Sequence, residues 1–290
     1  MKIAIASGKG GTGKTTLATA LAQAATEPIQ LLDCDVEEPN AHIFMKPQLT
    51  EREAVTIAIP VLDTDRCTNC GKCGELCQFN AIVTIADQTM IFSDLCHSCG
   101  GCILVCPEKA LQEQPKTIGY IDTGHSQSLN GDTITFVKGT LNIGEAMAPP
   151  VIKQVKKMVD PNQLTILDCP PGTSCPMITA ITGSDFVLLV TEPTPFGLHD
   201  LKLAVETLRL MDIPFAVVVN RAGCGDNRVD DYCSDEQIPL LLQIKDDRRV
   251  ATAYSRAEGL LTALPEMVTE LRALLGRIDN CVAAAQRSLS

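Results

Sequence analysis

The stretch Met1-Lys2-Ile3-Ala4-Ile5-Ala6-Ser7-Gly8-Lys9-Gly10-Gly11-Thr12-Gly13-Lys14-Thr15-Thr16 decides the fold. The apolar run from Ile3 to Ala6 reads as a short buried strand, and helix formers follow from Lys14 to Ala25. Between them lies Gly-x4-Gly-Lys-Thr, and a strand before with a helix after is what makes such a loop a phosphate cradle. Gly8, Gly10, Gly11 and Gly13, with Thr12 and Thr16, let successive N–H groups face an anion. Lys14 is placed to neutralise the β- and γ-phosphates and Thr15 to ligate Mg2+, so ATP or ADP with Mg2+ is the expected ligand.

Working outward, apolar runs end in polar or turn residues at 29–32 before Asp33-Cys34-Asp35, 164–167 before Asp168, 186–190 before Thr191-Glu192-Pro193, and 215–219 before Asn220-Arg221. Another covers 238–244, and helical patterns at 198–211 and 265–278 lie among them. Strands alternating with helices predict an α/β fold, a mostly parallel P-loop sheet with helices on both faces. The 45% hydrophobic content with only 3% aromatics suits a core of Ala, Ile, Leu and Val.

A cysteine-rich segment interrupts this alternation. Cys67, Cys70, Cys73 and Cys77 are spaced Cys-x2-Cys-x2-Cys-x3-Cys, and Cys96, Cys99, Cys102 and Cys106 repeat that spacing. The offset also places Asp65 on Asp94, Gly71 on Gly100 and Ala81 on Ala110, which reads as a duplicated unit. This is the ligand pattern of a bacterial ferredoxin with two 4Fe–4S clusters, in which the fourth cysteine crosses to the other cluster. One cluster is then expected on Cys67, Cys70, Cys73 and Cys106, the other on Cys96, Cys99, Cys102 and Cys77. Pro107 follows Cys106 as the pattern prefers, whereas Gln78 replaces the proline after Cys77. Zinc seldom uses eight thiolates at this spacing. His97, between two ligands, reads either as a tuning residue or as a solvated loop histidine. The organisation predicted is a P-loop domain over 1–60 and 116–290 with a small inserted ferredoxin-like domain over 61–115.

The loop carries a second lysine, Lys9, directly after its first glycine. Gly-Lys-Gly-Gly-Thr-Gly-Lys-Thr-Thr resembles the deviant Walker A loop of the MinD/ParA, Mrp and nitrogenase iron-protein ATPases. The phrases Thr191-Glu-Pro-Thr-Pro-Phe-Gly-Leu-His-Asp200 and Asp168-Cys-Pro-Pro-Gly-Thr-Ser-Cys-Pro176 resemble MinD-superfamily ATPases with an inserted ferredoxin domain. The resemblance implies that Lys9 reaches across an ATP-dependent homodimer to the partner's nucleotide. It implies that Asp35 orients the attacking water, that Asp33 supports the Mg2+ shell, and that Asp168 is the Walker B aspartate. Lys9, Lys14, Asp35 and Asp168 are thus the expected catalytic set, and Asn220 with Arg221 is expected at the adenine edge. Cys175 sits where the nitrogenase iron protein has a cluster ligand, but 141–150 holds no cysteine to complete that site, so a small packed thiol is the favoured reading.

The net charge of −11 argues against nucleic acid. The first residues lack a signal-peptide core, and no apolar stretch is long enough to cross a bilayer, so a cytoplasmic protein with reduced thiols is expected. The tail 278–290 has one Arg, no Lys and no aromatic residue, poor material for membrane anchoring. The leading functional reading is an ATPase whose nucleotide switch drives electron transfer to an unidentified redox partner. A cluster-assembly carrier delivering to an acceptor protein and a redox-sensing positioning ATPase are the alternatives. No Cys-x2-Cys pair of carrier type occurs outside the two runs, since Cys224 and Cys233 stand nine apart.

Overall fold

The computed structural model describes residues 1–288, with side chains to 285, so the end of the tail 278–290 lies outside the described residues. Eleven strands run in chain order: β1 Lys2–Ala6, β2 Ile29–Asp33, β3 Gln48–Leu62, β4 Ile82–Ile85, β5 Gln88–Ile91, β6 Leu111–Gln127, β7 Thr133–Leu141, β8 Leu164–Asp168, β9 Phe186–Thr191, β10 Phe215–Ala222 and β11 Leu240–Lys245. The helices are α1 Lys14–Ala24, α2 Ala41–Met45, α3 Lys72–Leu76, α4 Gly101–Val105, α5 Ala148–Lys157, α6 Cys175–Ile181, α7 Pro195–Leu210, α8 Arg228–Asp235, α9 Arg248–Tyr254, α10 Leu260–Ala263 and α11 Met267–Ser288. No helix among the described residues is long and apolar enough to cross a membrane.

Nine strands form one sheet in the order β11-β10-β9-β1-β8-β2-β7-β6-β3, parallel from β11 to β7 and antiparallel for β6 and β3. Successive residues of a strand point to opposite faces. Ile3, Ile5, Leu31, Phe136, Ile166 and Leu188 accordingly join α1, α10 and α11 in one core. Ala4, Ala6, Leu32, Val137, Leu167 and Leu189 join α5, α6, α7 and α8 in the other. Burial on both faces explains why these strands read as unbroken apolar runs, with each large side chain contributing about 1.5–3 kcal/mol.

β3 and β6 depart from this pattern. Lys138 of β7 stands level with Asp33, and the same register continues to Asp122 and Arg52. β7 ends at Leu141 opposite Gly119, but β3 runs on from Arg52 to Leu62, a further rise of roughly 33 Å. β7 is parallel to β2 and β8, so this two-stranded ribbon projects past the carboxyl edge of the sheet. Arg52 anchors its base by donating to Asp122 from Nε at 2.6 Å and Nη2 at 3.0 Å, and Lys138 lies 3.3 Å from the same buried carboxylate. Gly119 is needed here because a Cβ would strike the Thr140 carbonyl and crowd Val151 of α5.

Segment 63–110 sits at the ribbon's tip, where Leu62 pairs with Leu111. Its two halves repeat in backbone as well as sequence. Gly71 and Gly100 both take left-handed φ values of 75° and 71° and open α3 and α4. Asn69 and Ser98 both have φ 53°, and Asn80 and Lys109 have φ 52° and 50°. Asp63 N donates to the Ala110 carbonyl at 2.8 Å, and Phe92 N donates to that of Ala81 at 2.8 Å. Its buried core is small, Cys73, Ile82 and Leu111 with Ala81 and Ala110 also buried.

Candidate functional site

The carboxyl edge of the parallel strands carries a cleft of about 710 Å³, the position where open α/β sheets bind ligands. Gly10, Gly11, Gly13, Lys14, Thr15 and Thr16 line its floor. Gly13 takes φ 96° at the start of α1, and a Cβ there would collide with the Asn220 amide. Gly8 lies so close to the Asp200 backbone that a Cβ has no room. The loop is thereby pressed against α7 and β10, with the N-terminus of α1 facing the cleft, an arrangement that favours phosphate. Lys14 is 6% exposed, a buried cation poised for an anionic partner.

The three acids at the strand ends have different surroundings. Asp33 and Asp168 stand side by side on β2 and β8, both fully buried. Asp33 accepts hydrogen bonds from Asp35 N at 3.2 Å and Ala41 N at 3.0 Å, so it clamps the loop that follows β2. Burial and the nearby Asp168 push its pKa well up. Neither oxygen of Asp168 meets a donor among the described residues. Burial raises its carboxyl to about 7, with Thr15 and Lys14 nearby opposing the rise. An orphaned buried carboxylate beside a threonine hydroxyl is a donor set that fits Mg2+. Asp35 faces the cleft, its pKa raised to about 6 by burial, with Lys14 lowering it and Glu38 raising it.

Lys9 is not free in this single chain. Its Nζ lies 3.3 Å from Glu192 Oε2, while Arg221 Nη1 lies 2.9 Å from Glu192 Oε1. Asn220 donates from Nδ2 to the Thr12 carbonyl at 2.9 Å, and both Asn220 and Arg221 line the cleft. Sequence reasoning missed Glu192 as a site residue, although it directly follows β9 in the quoted Thr191-Glu192-Pro193. It also missed the segment after β11, where Asp246, Asp247 and Tyr254 close the far side of the cleft. Cys175 corrects an expectation: it opens α6 as an exposed thiol rather than a packed one, because the turn after Asp168 carries it to the surface.

In the tip unit, Cys67, Cys70, Cys73 and Cys106 line one hollow of about 20 Å³. Cys77, Cys96, Cys99 and Cys102 line a second of about 320 Å³, beside Ala58 and Pro60 of the ribbon. Asn69 N and Ser98 N donate to the sulfurs of Cys67 and Cys96, each at 3.4 Å. The His97 ring is exposed but stacked on Phe79, with centroids 3.6 Å apart. Among the described residues no three His, Cys, Asp or Glu side chains are grouped to hold a single metal ion.

Comparison with known proteins adds the family. Two uncharacterized proteins of Methanocaldococcus jannaschii are 31% and 33% identical, over 90% and 78% of this chain and 91% and 80% of their own. The pyruvate synthase subunit PorD of Thermotoga maritima is 33% identical over 86 residues, 28% of this chain and 86% of its own. Among solved structures, the septum site-determining protein MinD of Pyrococcus horikoshii, complexed with Mg-ADP, superposes with a TM-score of 0.56 at 17% identity, covering 98% of both chains. The model of the CobQ/CobB/MinD/ParA nucleotide binding domain matches residues 3–261, and the chain belongs to that family.

Proposed function

We propose that the chain is an ATP-hydrolysing switch that carries two 4Fe–4S clusters in an inserted unit and couples nucleotide turnover to electron transfer. The observation that carries this reading is one of placement. The ribbon lifts eight cysteines, sorted into two sets of four, over the sheet edge that holds the cleft. Each set combines three cysteines of one run with the last of the other, the partition that duplicated ferredoxin runs require. With so few buried apolar side chains, the unit needs its cofactor as a staple.

In the cleft, Lys14 and the loop amides bind the phosphates, and Asp168 with Thr15 holds Mg2+. Asp35 orients water while its pKa of about 6 leaves it ionised at neutral pH. Asp33 acts on the Mg2+ shell indirectly, by fixing the loop that carries Asp35. Lys9 leaves Glu192 to reach the nucleotide of a second copy in an ATP-dependent homodimer. In the insert, proposed as 61–115 between ATPase segments 1–60 and 116–290, backbone N–H groups at Asn69 and Ser98 direct hydrogen bonds at ligand sulfurs. When bound, each cluster stores and passes one electron. Thiols that must stay reduced to bind clusters suit a cytoplasmic protein, and electron transfer calls for a redox protein as its partner.

The test uses protein purified without oxygen. Reduced clusters should be reoxidised by an electron acceptor at least about tenfold faster with ATP and Mg2+ than without, and Lys14→Ala should lose the difference. An ATP-independent rate in the wild type rejects the coupling. A cluster that leaves for an apo acceptor on hydrolysis marks a carrier, and nucleotide-dependent attachment to lipid marks a positioning ATPase.

A further inference from the structure

Outside the cleft and the thiol sets, one side chain joins the tip unit to the loop before α5. Lys116, on the free part of β6, places its Nζ 2.8 Å from Asp94 of the tip unit and 2.9 Å from Glu145. Asp94 stands two residues before Cys96. Glu145 belongs to the loop that leads into α5, and that loop is tied to the ribbon base where Asn142 N donates to the Ile118 carbonyl at 2.8 Å. The Lys116–Glu145 leg is sheltered, with side chains 19% and 14% exposed, whereas Asp94 is 78% exposed. One leg is therefore held and the other is easily exchanged.

From Glu145 the chain leads through α5 toward the cleft. Lys156, in the last turn of α5, donates from Nζ to the Thr179 carbonyl of α6 at 2.7 Å and to that of Thr182. α6 follows the turn after Asp168, in which Gly172 N donates to the Ser7 carbonyl at 3.0 Å and Pro171 lines the cleft. On the insert side, Ser98 Oγ donates to the Ala58 carbonyl of the ribbon at 2.7 Å. The second thiol set thus rests on the ribbon nearer its base, beside Ala58 and Pro60, and the first lies at its end, beside Leu62 and Leu111.

We propose that Lys116 is the positioning residue through which movement of segment 169–181 reaches the second thiol set, by way of α5 and Glu145. This rests on the coupling reading above. The physical requirement is a two-state element that both sites bias, and the Asp94 leg, exposed and exchangeable, is that element.

Hydrogen exchange of the full chain, comparing ADP with a non-hydrolysable ATP analogue in the presence of Mg2+, tests it. In the wild type, peptides from both 169–181 and 92–105 should change protection with nucleotide. In Lys116→Met the response of 169–181 should persist while that of 92–105 shrinks by about fivefold or more, and Lys116→Arg should restore most of it. Asp94→Asn should lose as much as Lys116→Met, and the double variant should add nothing. An unchanged 92–105 response in Lys116→Met overturns the role of Lys116 while leaving the coupling intact. A wild type whose 169–181 responds and whose 92–105 does not brings down the coupling reading itself, and this inference with it.

Discussion

The sheet body and the unit at the ribbon's tip are built by opposite strategies. The body buries both faces of its central strands, from Ile3 and Ile5 on one side to Leu167 and Leu189 on the other. The tip unit buries Cys73, Ile82 and Leu111 and exposes Phe92, Leu95 and Leu104. Apolar burial alone specifies the first. The second has its backbone set by paired turns and too little apolar burial to stabilise it alone; on the proposed reading the clusters supply the rest. The difference teaches that nucleotide binding and cysteine chemistry here are separately breakable, although one ribbon connects them.

The largest separation should come from Lys14→Ala. Removing the buried cation should cut ATP turnover by about 10²–10³-fold, while iron content and the exchange protection of 63–110 stay at wild-type values. A loss of iron in that variant would show that the two regions fold as one. The converse is Cys106→Ala. Measured iron should fall from about eight to about four per chain, and protection should vanish around 67–73 while 96–102 keeps its own. ATP affinity should be unaffected. Loss around 96–102 instead would mean that the fourth cysteines do not cross over.

A smaller effect concerns the body alone. Asp168 and Asp35, raised by burial to about 7 and about 6, favour the folded state when protonated. Their contribution is complete below the unfolded value of 3.8 and is lost as pH rises through 6 to 7. With chelator present, the melting temperature of the body should therefore drop by about 5 °C between pH 5 and pH 8. Adding Mg2+ and ADP should flatten that slope, and a slope unchanged by them would remove Asp168 from the metal site. The smallest effect is expected from Cys175→Ala. Its exposed thiol touches neither hollow, so iron content and turnover should match the wild type.

The body was readable because burial on both faces writes itself into composition. The apolar runs at 29–32, 164–167 and 186–190 became β2, β8 and β9 within a residue. The phosphate loop was readable because its chemistry is local, with strand, glycines, lysine and helix in immediate succession. The ribbon is legible only in part: Val55, Ile57, Ile59 and Val61 alternate as a strand does and 117–122 is apolar enough for a strand piece, yet β3 begins at Gln48 and β6 runs to Gln127. Residues 48–54 of β3 are exposed on both faces and need no alternation, so Thr50-Glu51-Arg52-Glu53 carries no strand signal. Glu192 escaped for a different reason. Its partners Lys9 and Arg221 meet it only through the pairing of β9 with β1 and β10, which no local pattern announces.

β2 pairs with β7 and β8, whose residues follow the whole cysteine segment in the chain. A ribosome therefore polymerises all eight cysteines before the strands that flank Asp33, so the segment at the ribbon's tip exists as chain before the nucleotide site can close.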